Sequence, residues 1–190
     1  MNAMQPLSRQ ELLEVFRQAR KASPRDHALF LLSYAHGLRA SEAAQLRLSD
    51  LSVRDWTLRI ERKKRSKTTV QTVLPNAERL LDERKALRAW LEIRPNFGPF
   101  LFSKPNGGGL SRIQVYRRYR QYAKAANLPE SKCGPHALKH SLAQHMVNER
   151  QDVARVQAAL GHASVSSTMS YFAISQKQAD EARAAALMAA

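Results

Sequence analysis

One cysteine, Cys133, stands alone in 190 residues. No internal disulfide can form, and a reducing compartment such as the cytoplasm is the expected setting. A lone cysteine is ordinarily structural rather than nucleophilic. No apolar run approaches the roughly 20 residues that a membrane span needs, and the first residues lack the apolar core of a signal peptide. Acidic residues are few, 16 against 31 basic ones, which leaves a net charge of +15. That excess points to a polyanionic partner, nucleic acid first and an anionic membrane surface second. There is no repeat and no low-complexity tract. What is present is enough for one folded domain over residues 1–190: the hydrophobic share is 44%, typical of a chain with a real core.

Local signals predict a mainly α chain with a small antiparallel β-hairpin. Ser8 precedes an apolar-periodic run through Leu12, Val15 and Phe16, with Glu11 placed to complete a capping box. A second helix is expected over residues 25–36, stopped by Gly37, and a third from about Ser41. Trp56, Leu58 and Ile60 alternate, as do Val70, Thr72 and Leu74, so each set predicts a half-buried strand with those residues inward. Between them lies the basic turn Arg62-Lys63-Lys64-Arg65-Ser66-Lys67. Helical periodicity returns over 76–92, then over 111–126, 136–150, 152–160, 165–171 and 175–188. On the helix at 111–126, Tyr116, Tyr119 and Tyr122 are three apart and are expected to face the core, interleaved with Arg117, Arg118, Arg120 and Lys124.

Four short segments have the residue types of a phosphate site. Arg39 follows the glycine turn at Gly37, and Glu42 lies one helical turn on, where its carboxylate can fix the guanidinium. The basic turn would attract a nucleic-acid backbone by counterion release, although a solvated loop has the same look. His136, Lys139 and His140 share one helical face by their i, i+3, i+4 spacing. No third ligand is spaced for a zinc motif, so a cation with imidazoles suits phosphate better than metal. Gly161-His162 is followed nine residues later by Tyr171, which alone would pass for a packed aromatic.

In this order and at these intervals the segments resemble the tyrosine recombinase family, the lambda-type and Xer-type integrases. The matching boxes are Gly37-Leu38-Arg39-Ala40-Ser41-Glu42, His136-Ala137-Leu138-Lys139-His140, Leu160-Gly161-His162 and Tyr171. The resemblance runs from about Leu7 to Ala185. It implies the fold of that family's catalytic domain and a site-specific recombinase that cuts and rejoins double-stranded DNA. The resemblance assigns Tyr171 as nucleophile, leaving a 3′-phosphotyrosine, with Arg39, Lys139 and His162 holding the phosphate oxygens. Lys64 matches the family's leaving-group acid best, with Lys63 the alternative. His136 is the expected proton partner of Tyr171 and Glu42 the orienting residue, while His140 reads equally as a buried structural histidine. Arg62, Lys63, Arg65, Lys67, Arg117 and Arg118 are expected on the DNA backbone. No cofactor, metal or small-molecule substrate is expected.

The chain departs from the family at Lys139, where arginine is usual, and in starting almost directly with the catalytic domain. The latter suggests a short form without the N-terminal core-binding domain, or an excised piece of a longer protein. By the same resemblance, residues 175–190 form a tail helix that docks on a neighbouring protomer, giving a tetramer on DNA and a monomer or weak dimer off it. Two other readings stand: a DNA binder that keeps the fold with a lost or weakened site or serves as an accessory, and a type IB topoisomerase, which shares the covalent chemistry without recombination.

Overall fold

The computed structural model describes residues 5–62 and 68–172, together with Arg183 and Met188. The basic turn at 63–67 and all but those two residues of the tail at 175–190 lie outside the described residues.

The fold is built around one helix. α2 (Pro24–Ala35) is buried from Arg25 through Ser33, as its almost unbroken apolar run from Ala28 to Leu32 requires. Around it pack α1 (Arg9–Ala22), α4 (Glu83–Leu91) and α6 (His136–Asn148). α1 starts where expected: the Ser8 hydroxyl accepts the Glu11 amide at 3.2 Å, and the Glu11 carboxylate accepts the Ser8 amide at 2.7 Å. The Ser23 hydroxyl caps α2 by accepting the Asp26 amide at 3.3 Å. At the other end of α2, Gly37 takes a left-handed φ of 56° and turns the chain so that Arg39 becomes the N-cap of α3 (Ala40–Gln45).

A three-stranded antiparallel sheet in the order β1-β2-β3 follows, from β1 (Leu51–Ser52), β2 (Thr57–Ile60) and β3 (Thr69–Thr72). The first expected alternation holds, since Trp56, Leu58 and Ile60 are all buried. The second is reversed. Leu58 faces Gln71 and Ile60 faces Thr69 across the ladder, and directly opposed residues share a face. The inward set is therefore Thr69, Gln71 and Val73, while Val70 and Leu74 are 66% and 55% exposed. A further difference is the helix expected from residue 76. It begins only at Glu83, because Asp82 caps α4 by accepting the Lys85 amide at 2.9 Å and the Leu80 carbonyl bonds the His27 ring instead of a helical amide.

α5 (Arg112–Ala125) is capped by Ser111 and buries Tyr119 and Tyr122, but leaves Tyr116 exposed, against the expectation that all three tyrosines face inward. α7 (Val153–Leu160) is capped by Asp152 and ends at Gly161, whose φ is 60°. The short α8 (Ser166–Met169) leads to Tyr171. Ala143, Val156 and Leu160 form a small second core on which Tyr171 and Phe172 rest. The nucleophile candidate is thus carried by a few contacts of its own and not by the main core.

Candidate active site

Arg39 is held twice by Glu42. Its NH1 donates to Glu42 Oε1 at 2.9 Å and its backbone amide donates to Glu42 Oε2 at 2.9 Å. Glu42 is 3% exposed, so this is a charge-assisted clamp with little competition from water. The Arg39 side chain stays partly open to solvent and faces a cleft of about 420 Å³.

α6 supplies the next wall. His136, Lys139 and His140 all line the same cleft, as the i, i+3, i+4 spacing requires. Lys139 is buried, and its Nζ donates to the Leu160 carbonyl at 2.8 Å, at the C-terminal end of α7. Burial, and then the neighbouring Arg39 and Arg62 guanidinium groups, bring its ammonium down to about 7, with Glu42 opposing. His136 is also held below the usual imidazole range, by burial first and then by Arg39, Lys139 and Arg112.

The third wall is the turn after α7. Gly161 is needed twice there: its φ is positive, and a Cβ would sit 2.6 Å from Arg62 Nε. The turn delivers His162, whose Nδ1 bonds the buried Thr168 hydroxyl at 2.9 Å. Among the described residues its Nε2 has no partner, so that nitrogen is the one left for a ligand. Burial and then the cations Lys139, Arg39 and Arg62 push His162 down to about 4, which keeps it neutral at pH 7 and able to donate one hydrogen bond.

Tyr171 closes the cleft. Its hydroxyl lies 2.6 Å from His140 Nδ1, with the two rings 5.7 Å apart and tilted by 52°. Burial raises the phenol above its ordinary value, while burial and then His136 and Lys139 lower the His140 imidazole. Both directions favour a neutral phenol beside a neutral imidazole; with the phenol donating, His140 Nδ1 accepts and Nε2 carries the ring proton. The structure therefore puts His140, not His136, on the tyrosine hydroxyl.

The cleft brings together Arg39, His136, Lys139, His162 and Tyr171 of the expected residues, with Glu42 behind Arg39. Lys64, Lys63, Arg65 and Lys67 lie outside the described residues. Arg62 requires a correction. Its side chain has no exposure, so it cannot reach a DNA backbone; its guanidinium is aimed inward at carbonyls. A period-two signal for this was present, since Leu58, Ile60 and Arg62 have the same parity. Arg118, with its side chain 39% exposed, pairs through NH1 with the fully buried Asp26 carboxylate at 2.9 Å and so also compensates an interior charge. Arg117 remains exposed. Sequence reasoning missed one polar chain altogether. Glu83 bonds His36 Nε2 at 2.7 Å, and His36 Nδ1 bonds Gln71 at 2.7 Å. Among the described residues no group of three or more His, Cys, Asp or Glu gathers to hold a metal, and no helix is long and apolar enough to cross a membrane.

Residues 4–178 match the phage integrase family. The chain belongs to that family. Its relatives include the tyrosine recombinase XerC of Haemophilus ducreyi, 34% identical over 79% of this chain and 48% of that protein. Another is the tyrosine recombinase XerA of Pyrococcus furiosus, 31% identical over 93% of this chain and 59% of that protein. The chain spans about half the length of the curated relatives it matches. Among solved structures, the XerH site-specific recombinase bound to difH substrate in a pre-cleavage complex is similar at a TM-score of 0.76 and 25% identity, over 96% of this chain and 55% of that one. A lambda integrase dimer bound to a core site shares the fold, with a TM-score of 0.73 at 19% identity over 90% of this chain and 48% of that one. This integrase-family chain thus has the mainly helical fold with a small antiparallel sheet that tyrosine recombinase catalytic domains share.

Proposed function

We propose that this integrase-family domain is a site-specific DNA recombinase that works through a covalent bond from Tyr171 to a 3′-phosphate. One observation carries the proposal: a single cleft holds the Tyr171 phenol, three imidazoles and two cations. Tyr171 Oη attacks the scissile phosphorus, the P–Oη bond forms and the P–O5′ bond breaks. The phenolic proton passes to His140 Nδ1, already 2.6 Å away, because a phenol of pKa about 10 or above is a poor nucleophile while protonated. Arg39, Lys139 and His162 Nε2 stabilise the charge gathering on the non-bridging oxygens, each such donor being worth about 10²–10³ in rate. A lysine of the basic turn protonates the leaving 5′-oxygen. Since one phosphodiester replaces another, rejoining is the same step reversed and needs no energy source. The net charge of +15 supplies the sequence-independent part of binding to double-stranded DNA. The lone cysteine fits a reducing cytoplasm as the place of action.

The test uses two distinguishable duplexes drawn from the DNA flanking the gene. Exchanged arms are the expected product. Relaxation of supercoiled DNA without exchange would instead assign a type IB topoisomerase, and a mobility shift without a covalent adduct would assign a binder.

The acid is found by substituting the turn. Lys64→Ala is expected to slow cleavage by about 10²–10⁴-fold, and a substrate with 5′-bridging sulfur, whose leaving group needs no proton, should restore it. The same pair of measurements on Lys63→Ala and Lys67→Ala locates the role: whichever variant the sulfur rescues had lost the acid.

The proposal extends to assembly. The tail at 175–190 docks on a neighbouring protomer, giving four subunits on two duplexes, while the free protein stays monomeric or weakly dimeric because its charge opposes self-association. Deleting residues after Gln176 should spare binding to one duplex and weaken the higher complex, as read by light scattering on DNA. Equal assembly by the shortened chain would end this part of the proposal.

A further inference from the structure

Residues on either side of the basic turn are tied to one backbone carbonyl. Arg62, the last described residue before the turn, donates from NH2 to the Ala159 carbonyl at 3.4 Å. Gln71, on β3 beyond it, donates from Nε2 to the same oxygen at 3.4 Å. Ala159 lies in the last turn of α7, just ahead of the Gly161-His162 turn. Arg62 reaches further. Its NH2 also donates to the His36 carbonyl at 2.8 Å, and its NH1 to the Gly37 carbonyl at 3.2 Å and to Glu42 Oε2 at 3.4 Å. Its Nε finds no hydrogen-bond partner, because it packs where Gly161 has no side chain. One buried guanidinium thus touches the turn that sets Arg39, the carboxylate that orients Arg39, and the helix end that sets His162.

We infer that Arg62 is a positioning residue for phosphodiester cleavage, holding the Arg39–Glu42 clamp and the Gly161-His162 turn in register, with Gln71 and His36 as its brace. The inference rests on the cleavage chemistry proposed above. Five donors in a rigid fork suit this task, and lysine cannot replace them because it is a point charge on a flexible stem. The guanidinium would act only through Arg39 and His162 and would never touch the DNA.

The test compares the parent protein with Arg62→Lys and with the milder Gln71→Ala, both checked for parental thermal unfolding. Single-turnover adduct formation on a nicked duplex should fall by about 10²-fold in Arg62→Lys, the scale of loss for a catalytic group misplaced by about an ångström, and by less in Gln71→Ala. Affinity for the duplex and its slope against salt should stay as in the parent. A methylphosphonate at the scissile position, which removes the charge that Arg39 meets, should narrow the gap between parent and variant. Unchanged cleavage in both variants would overturn the inference. So would a weaker affinity with the salt slope reduced by about one, the mark of a lost phosphate contact. If the parent forms no adduct, the cleavage reading is what fails, and the histidine titration followed by NMR still decides about Arg62. Displacing its charge should raise the pKa of His162 in Arg62→Lys, and an unmoved His162 would overturn the inference in that case too.

Discussion

Tyr171→Phe should abolish covalent attachment to DNA while leaving affinity close to the parent. The variant removes one oxygen atom from a chain whose attraction to DNA comes from a net charge of +15, and a single hydroxyl adds little to such an interface. It also removes the hydrogen bond to His140. That bond is a single part-buried contact outside the main core, so the fold should survive its loss. The measurement is adduct formation on a nicked duplex beside a mobility shift on the same DNA. An adduct that persists in the Phe variant would move the nucleophile elsewhere. Tyr116 would then be next, being exposed, whereas Tyr119 and Tyr122 are buried and burial raises both phenols far above their ordinary value.

The second large effect belongs to Lys139, where arginine is usual in the family. Lys139→Ala should lower cleavage by about 10²–10³-fold and DNA affinity far less, because the charge it meets develops mainly in the transition state. Lys139→Arg should cleave within about tenfold of the parent. The two should differ in pH dependence. In the free protein the Lys139 ammonium lies at about 7, so the cation fades as pH rises through that value, and kcat/KM should fall on the alkaline side relative to Lys139→Arg. A bound phosphate favours the charged form, so the fall in kcat should come at higher pH than the fall in kcat/KM. Taking the ratio of parent to Lys139→Arg cancels the ionisation of Tyr171, which both share. A flat ratio from pH 6 to 9 would show that Lys139 stays charged or takes no part. A parent that is inert until Lys139→Arg switches it on would make the protein a binder with a weakened site. One observation favours that second reading: Nζ is engaged by the Leu160 carbonyl and must turn from it, or share its protons, to serve a phosphate.

Local signals carried most of the fold. The Ser8 capping box and the Gly37 stop are each decided within a few residues of sequence and are found as expected, and the Ser111 and Asp152 caps and the left-handed Gly161 that the structure adds are equally local. Two of the differences depend on partners outside the segment concerned, and the third on a local alternation outweighed by a charge run. The inward face of β3 is set by its register with β2, and Val70-Thr72-Leu74 looks as apolar as the true inward set. Residues 76–82 have helical periodicity, yet the Leu80 carbonyl is claimed by His27. Arg62 was assigned to DNA because it begins a run of five basic residues in six, when the alternation of Leu58, Ile60 and Arg62 pointed inward. The site was legible as a list of residues and, at Arg39–Glu42, as a pair, but the partner of Tyr171 was not. His136 and His140 share a helical face, and nothing in their spacing says which of the two reaches Tyr171.

The measurement that bears most directly on the central claim is made on the parent protein. It is incubated with a duplex nicked close to the cleavage site, so that the short 5′-hydroxyl fragment diffuses away and rejoining is blocked. The trapped species is digested and its DNA-bearing peptide sequenced by mass spectrometry. The expected result is a 3′-phosphate on the oxygen of Tyr171. Attachment at another residue, or through a 5′-phosphate, or no attachment on any duplex that the protein binds, would contradict it.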